Sequence, residues 1–172
     1  MKLFDSIPTE AVVKADYAKT GVVAEIWLKP SVLLKATQAL YADGYYIVDL
    51  LALDVTDGIL IEYHFDKMTR PGRIKLKVMA ENGVVPSIAN IFQGANWHER
   101  EVRDFHAVDF TGHPNLWPLL LPTDMEPGVL LKEDKNKKAI RELFGLGEAE
   151  SCSSAVEALF AEPEASDAGA GE

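Results

Sequence analysis

The chain has 172 residues, nearly half of them apolar, and a net charge of −10, enough for one domain with a sizeable core plus extensions. No apolar run approaches the roughly 20 residues that span a bilayer, and the acid-interrupted opening Met1–Tyr17 does not read as a secretory signal. The single cysteine, Cys152, excludes an internal disulfide and an all-cysteine metal or cluster site, so a cytosolic setting is expected, free or on the cytosolic face of a larger assembly.

Residues 1–20 form a weakly patterned N-terminal segment in which Thr9 opens a short helix over Glu10–Ala15. Val22–Leu28 is rich in strand formers and stops at Lys29-Pro30. Ser31 is the expected N-cap of a helix whose apolar face is Val32, Leu33, Ala36, Ala39 and Leu40, closed at Asp43-Gly44 with Gly44 left-handed.

A three-strand meander follows. Tyr45–Val55 is a long apolar run, and Asp57-Gly58 is a hairpin-turn dipeptide. Ile59, Ile61, Tyr63 and Phe65 then alternate with Leu60, Glu62 and His64. After a turn through Thr69–Gly72, Ile74, Leu76 and Val78 alternate with Arg73, Lys75 and Lys77. Period-two alternation buries one face, and the basic row is expected on a solvated outer face. With the 22–28 strand this predicts an α+β fold: an antiparallel sheet of about four strands with helices on one face, spanning residues 21–122.

Val85–Phe92 reads as a short helix opened by Pro86 or Ser87 and ended by Gly94. Residues 123–147 read as an extended arm with Ala139–Phe144 at most a short helix. From Glu148 to Glu172 there are seven acids and no Lys or Arg, while the rest of the chain carries 20 acids against 17 bases. This Ala/Gly/Ser-rich end is expected to be a disordered, solvated tail. Neither part offers a nucleic-acid footprint.

The densest chemistry lies in Ala95–Pro122, with two of the three Trp and three of the four His. Asn96 with Glu99 has capping-box spacing, and Glu99/Arg103 and Arg100/Asp104 are i,i+4 pairs of opposite charge. On a wheel with Trp97 at zero, the apolar face holds Val108, Phe105 and Val102 between about 20° and 140°, and Glu101 at about 40° and His98 at about 100° fall inside it. A carboxylate there needs a cation or hydrogen bonds, so Glu101 meets an Arg from elsewhere in the chain or a partner protein that supplies one. His98, His106 and His113 are spaced by eight and seven, and the first two lie on different helix faces. No His-x3-His or Glu-x-x-His pair exists, which argues against a metal site. There is also no nucleophile elbow, P-loop, dinucleotide fingerprint or C-x-x-C. Gly112-His113-Pro114 reads as a turn that launches the apolar run Leu116–Pro122, broken by Pro118. That run is either a buried arm or a strap exposed to another protein.

At these residues the chain resembles a known family. Ala95–Phe105 (ANWHEREVRDF), Phe110–Leu116 (FTGHPNL) and Leu119–Pro122 (LLLP) are similar to the signature of the C subunit of NADH-quinone oxidoreductase, in the peripheral arm of complex I. The same family holds the related subunits of energy-converting membrane-bound nickel-iron hydrogenases, Ech-type and CO-induced enzymes among them. The resemblance spans about residues 20–134. It implies a cofactor-free accessory subunit of an ion-translocating membrane oxidoreductase, peripheral on the cytosolic face of the inner membrane. Its partners would be the large hydrogenase-like or complex I catalytic-type subunit and the small iron-sulfur subunit, with iron-sulfur clusters and a nickel-iron centre or quinone site in those subunits.

Carried over by motif, the subunit-interface residues would be Trp97, Glu99, Arg100, Glu101 and Asp104, then Gly112, His113, Pro114 and Leu116. Phe105-His106-Ala107 stands where the family usually has an aromatic-Gly pair, Trp117-Pro118 where many members have two Arg, and Glu126–Asp134 replaces the usual closing motif. These departures point the expectation toward the hydrogenase branch, with the C subunit of NADH-quinone oxidoreductase as the alternative. The competing class is a stand-alone small metalloenzyme built on His98, Glu101 and His113.

Overall fold

The computed structural model describes residues 2–69 and 72–161. The elements are β1 (Ala11–Lys14), α1 (Tyr17–Thr20), β2 (Ala24–Leu28), α2 (Pro30–Ala42), β3 (Tyr46–Val55), β4 (Gly58–Asp66), β5 (Ile74–Ala80), β6 (Val84–Pro86), α3 (Ala95–His106), β7 (Asp109–Thr111), α4 (Ile140–Leu143), β8 (Ala149–Cys152) and α5 (Ser154–Phe160). Single turns of tighter helix sit at Lys2–Phe4 and Asp134–Asn136.

The α+β class holds, but the sheet is larger and mixed. Its six strands run in the order β3-β4-β5-β2-β1-β8. β3–β4–β5 is the expected antiparallel meander, with Val55 opposite Gly58 at the hairpin. β2 joins it beside β5 in parallel, Ile26 opposite Leu76. The crossover through α2 carries the chain from β2 to the far edge of the sheet, so the strand that pairs with β5 arrives in the same direction as β5.

Residues 11–14, expected in a helix, form strand β1 instead. Ala11 and Val13 are buried while Val12 and Lys14 are not, and Val12-Val13 suits a pleated surface better than a helix. α2 starts two residues earlier than a Ser31 cap implies: Lys29 is the extended flanking residue, Pro30 occupies the first turn and Ser31 lies inside, because proline is pre-set for that position and lacks only an unneeded N–H. Gly44 is left-handed, with φ of 78°. Arg70 and Pro71 of the expected 69–72 turn lie outside the described residues.

The two sheet faces bury different cores. Ile26, Leu28, Ile61, Tyr63, Phe65, Ile74, Leu76 and Val78 pack with residues of α2 and α3 in the main core. On the other face Trp27, Leu60 and Val55 pack with Ile140 and Val156. The basic row there is not a solvated face. Lys77 is 1% exposed, with its ammonium 2.6 Å from Glu25 and 3.4 Å from Glu62. It also sits 3.9 Å from the centre of the Phe144 ring. The alternation is as expected, but it could not show that the C-terminal part of the chain returns over this face.

That return also corrects the tail. Residues 149–152 pair with β1, Cys152 opposite Ala11, and α5 is capped by Ser153, whose hydroxyl accepts from the Val156 amide. Phe160 meets Trp27 edge-on at 5.9 Å. The acids of this segment are spaced so that Val156 faces the sheet while Glu150 pairs with Lys14 at 2.7 Å. Residues 162–172 lie outside the described residues.

Candidate functional site

α3 does not begin with an Asn96 cap. Gly94 precedes it in helical conformation, and no side chain caps its start. Glu99 turns inward instead. The Ser87 hydroxyl donates to Glu99 at 2.5 Å and the Ile88 amide at 2.7 Å, and the Ala89 amide donates to the Ser87 oxygen at 3.1 Å. These bonds hold residues 87–89 in a turn after β6, which is why the helix expected over 85–92 does not form. Strand β6 instead pairs in parallel with β7, Val85 opposite Phe110.

The Glu99 carboxyl is fully buried. Burial pushes its pKa up to about 7, against the lowering effect of the bonds from Ser87 and Ile88. Burial, and then the charge of Glu99, also raises Tyr63 well above the usual phenol value.

The Gly112-His113-Pro114 turn closes over the same carboxyl. Gly112 is left-handed, with φ of 79°, and its carbonyl accepts from the Asn90 side chain at 3.1 Å. The Asn115 amide donates to Nδ1 of His113 at 3.0 Å. The ring proton therefore sits on Nε2, which donates to the Asn96 carbonyl at 3.2 Å. Nε2 lies 3.8 Å from Glu99, and both side chains are inaccessible. Burial lowers the His113 pKa, and the nearby Arg100 charge adds to this against the raising effect of its hydrogen bonds to Asn96 and Asn115. Serine, glutamate and histidine meet here without forming a nucleophile-base pair, because His113 donates to a backbone carbonyl and Ser87 to Glu99.

The expected Glu99/Arg103 and Arg100/Asp104 pairs are not formed. Arg100 reaches forward and donates to the carbonyls of Trp117 at 2.8 Å and Pro118 at 3.0 Å. Asp104 is fully buried, and one of its oxygens accepts from the amides of Leu119, Leu120 and Leu121 at 2.8, 2.8 and 3.1 Å. Arg103 lies 3.5 Å from the other oxygen. Burial would raise the Asp104 pKa, but the three amides and Arg103 together hold it below the usual carboxylate range. The helix end is closed from the same direction: the Gly128 and Leu130 amides donate to the carbonyls of Asp104 and Phe105 at 2.8 and 3.0 Å, and Ala107 ends the helix left-handed.

The wheel reading is thereby corrected. The buried α3 residues are Ala95, Glu99, Val102 and Asp104: Val102, and Val108 just after the helix, are buried as expected, but Trp97 is exposed and Phe105 only half-buried. Two carboxylates are buried because donors from the 87–88 turn and the 119–121 strap reach them. Trp97 is left 69% exposed. Glu101 is half-buried in a surface groove with Gln93, Trp97, His98, Leu119 and Leu120. Among the described residues it has neither a hydrogen bond nor an ion pair, so the expected internal Arg is not there. Pro114 is exposed and Leu116 packs against the main core.

These three histidines go to three places: His98 to the groove, the His113 side chain against buried Glu99, and His106 near the charges of Asp54 and Lys132. Among the described residues no three His, Cys, Asp or Glu side chains converge as a metal site would require.

Sequence reasoning missed one anchor. Asp54, at the end of β3, is buried; it accepts from the Lys132 amide at 2.6 Å and lies 3.4 Å from the Lys137 ammonium. The two acids Asp49 and Asp54 that interrupt the apolar run Tyr45–Val55 were the signal. The partner of Asp54 was not, since 78 residues separate the two.

The strap is thus tied down by its backbone and displays its side chains. Trp117 and Leu120 are 62% and 58% exposed, and Leu120 lines the groove with Trp97. No described helix is long and apolar enough to cross a membrane.

Residues 26–139 match the family described as respiratory-chain NADH dehydrogenase, 30 Kd subunit. Among relatives, the J subunit of the NAD(P)H-quinone oxidoreductase of Prochlorococcus marinus (strain NATL1A) is 33% identical over 144 residues, covering 77% of this chain and 79% of that protein. The C/D subunit of the NADH-quinone oxidoreductase of Psychrobacter arcticus is 36% identical over 131 residues, or 75% of this chain, and the chain spans only 22% of that protein's length. In fold, the chain is similar to part of the membrane-bound sulfane sulfur reductase, an archaeal respiratory membrane complex, with a TM-score of 0.61 at 18% identity over 73% of this chain and 75% of that one.

Proposed function

The chain belongs to the respiratory-chain NADH dehydrogenase 30 Kd subunit family, and from that premise we propose that it is a cofactor-free accessory subunit of a complex I-like, ion-translocating membrane oxidoreductase. In this reading it sits in the peripheral arm, on the cytosolic face, and docks on the large catalytic-type subunit beside the small iron-sulfur subunit. Those partners carry the iron-sulfur clusters and the quinone site or nickel-iron centre. This chain supplies shape and contacts.

The observation that carries the reading is the way α3 holds the strap. Arg100 and Asp104 consume the backbone groups of residues 117–121, leaving Trp97, Trp117 and Leu120 outward. Exposed tryptophans and leucine on a rigid, backbone-tied support have the composition of an interface centre rather than of a free surface. His98 and Glu101 line the surface groove while His113 is buried against Glu99, a separation that disfavours the stand-alone enzyme built on those three residues.

Between the two branches of the family, the relatives' names speak for the C subunit of NADH-quinone oxidoreductase. The hydrogenase reading rests on His106-Ala107 and Trp117-Pro118, where the usual aromatic-Gly and Arg pairs are replaced. Deletion of the gene tests the shared claim. Membranes should lose either NADH:quinone or hydrogenase activity together with the assembled complex, and the activity lost names the branch. Unchanged levels of both would contradict the proposal.

A further inference from the structure

We propose that the groove between α3 and the strap is a receptor for an arginine side chain of the docking partner, with Glu101 taking the guanidinium and Trp97 stacking on it. The inference rests on the docking role proposed above and names the chemistry of the contact.

Glu101 is the unsatisfied charge of α3 among the described residues. The other four ions of the helix are engaged: Glu99 by Ser87 and Ile88, Arg100 by the carbonyls of 117 and 118, and Arg103 and Asp104 by each other and the strap amides. Glu101 is half-buried against Trp97, Leu119 and Leu120. It has therefore lost part of its hydration without gaining a partner, a cost that a bound cation removes. The strap cannot supply donors, because the amides of Leu119, Leu120 and Leu121 all point to Asp104. Its contribution to the groove is an apolar wall.

The walls select the cation. Trp97 presents an indole that is 69% exposed, next to the carboxylate. A guanidinium satisfies both, since its fork pairs with a carboxylate while its flat face lies on an aromatic ring. An ammonium is more strongly hydrated and pairs only as a point charge. Leu119 and Leu120 call for apolar residues on either side of the arginine. His98 is the other titratable group at the groove, and Gln93 forms the rim.

The test uses the full chain assembled in its membrane complex, extracted in mild detergent. A photo-reactive p-benzoylphenylalanine at Gln93 should cross-link to one peptide of another subunit, with an arginine flanked by apolar residues. Glu101→Gln and Trp97→Ala should each weaken reassociation of the purified chain with the stripped complex by tenfold or more. Neither should shift the chain's own thermal unfolding, as Glu101 touches nothing it would leave unpaired. A cross-link to a peptide without arginine, a cross-link to a second copy of the chain, or unchanged reassociation of both variants would overturn the inference. If the large subunit is retained while both variants bind normally, this inference fails and the accessory role stands. If the arginine peptide belongs to a soluble protein outside any membrane complex, the accessory role fails and the receptor stands.

Discussion

Arg100 and Asp104 stand one helical turn apart with opposite charges, yet they do not pair with each other. Each takes the complementary half of one strap: Arg100 the carbonyls of Trp117 and Pro118, Asp104 the amides of Leu119 to Leu121. The strap's backbone is satisfied by side chains from a single helix, so its own side chains are free to face outward. The proposed docking surface depends on this arrangement.

Asp104→Ala should therefore be one of the costliest changes in the chain. It removes a charged acceptor from three amides, and we expect a loss of about 3 kcal/mol or more, read by urea unfolding. Arg100→Ala, at a more exposed site, should cost about 1 kcal/mol. Both should speed proteolysis within residues 116–122, Asp104→Ala the more. The Asp104 contribution is present above the ordinary carboxylate pKa of about 3.9 and is lost as pH falls through its lower folded value.

Glu99 has the opposite sign. Its folded pKa, about 7, lies above the ordinary 4.5, so the folded protein binds more protons than the unfolded chain between those values. Stability from this group falls as pH rises through that window, on the order of 3 kcal/mol in all. His113, held below 6.5 by burial, works against it: its contribution is present above that pH and is lost on acidification. His106, also lowered chiefly by burial, has the same sign. Glu99→Gln should remove the falling limb and leave stability that rises with pH up to about 6.5. Comparing unfolding free energies of the two proteins from about pH 4.5 to 8 checks this.

The C-terminal arm should detach when its anchor is cut. Asp54→Ala leaves the Lys132 amide and the Lys137 ammonium without their buried acceptor, at a cost of about 2 kcal/mol. Limited proteolysis should then cleave first among Lys132, Lys135, Lys137 and Lys138, with the sheet core still protected.

Lys77 offers a test of the second sheet face. It is buried between Glu25, Glu62 and the rings of Phe144 and Trp27. Lys77→Ala leaves buried Glu62 and partly buried Glu25 with Lys75 as their remaining cation, 3.1 and 3.8 Å away, and should cost about 3 kcal/mol. A solvated lysine at this position would cost almost nothing, so the measured value separates the two pictures.

These residues also show where sequence reasoning holds and where it stops. The meander is legible because period-two alternation and Asp57-Gly58 are local signals, and Ala95–Pro122 is legible as the focus because its composition is unusual. What failed depended on distant partners. Glu99 and Asp104 read as surface ions because nothing local announces Ser87, or the amides of 119–121, as donors. A trace remained: an acid in the last turn of α3 opposes the helix dipole, so Asp104 needed donors from outside the helix. Lys77 read as solvated because Phe144, 67 positions later, covers it. Glu101, the misplaced carboxylate of the helical wheel, does lack a partner among the described residues, although the face it lies on is not the core face.

Co-purification tests the central claim most directly. The chain, tagged and expressed from its own locus, is extracted from membranes in mild detergent and sized. The account predicts that it elutes in a large assembly containing the catalytic-type large subunit and the small iron-sulfur subunit in equal amounts. A chain that elutes alone, with the membrane oxidoreductases intact without it, would contradict the account.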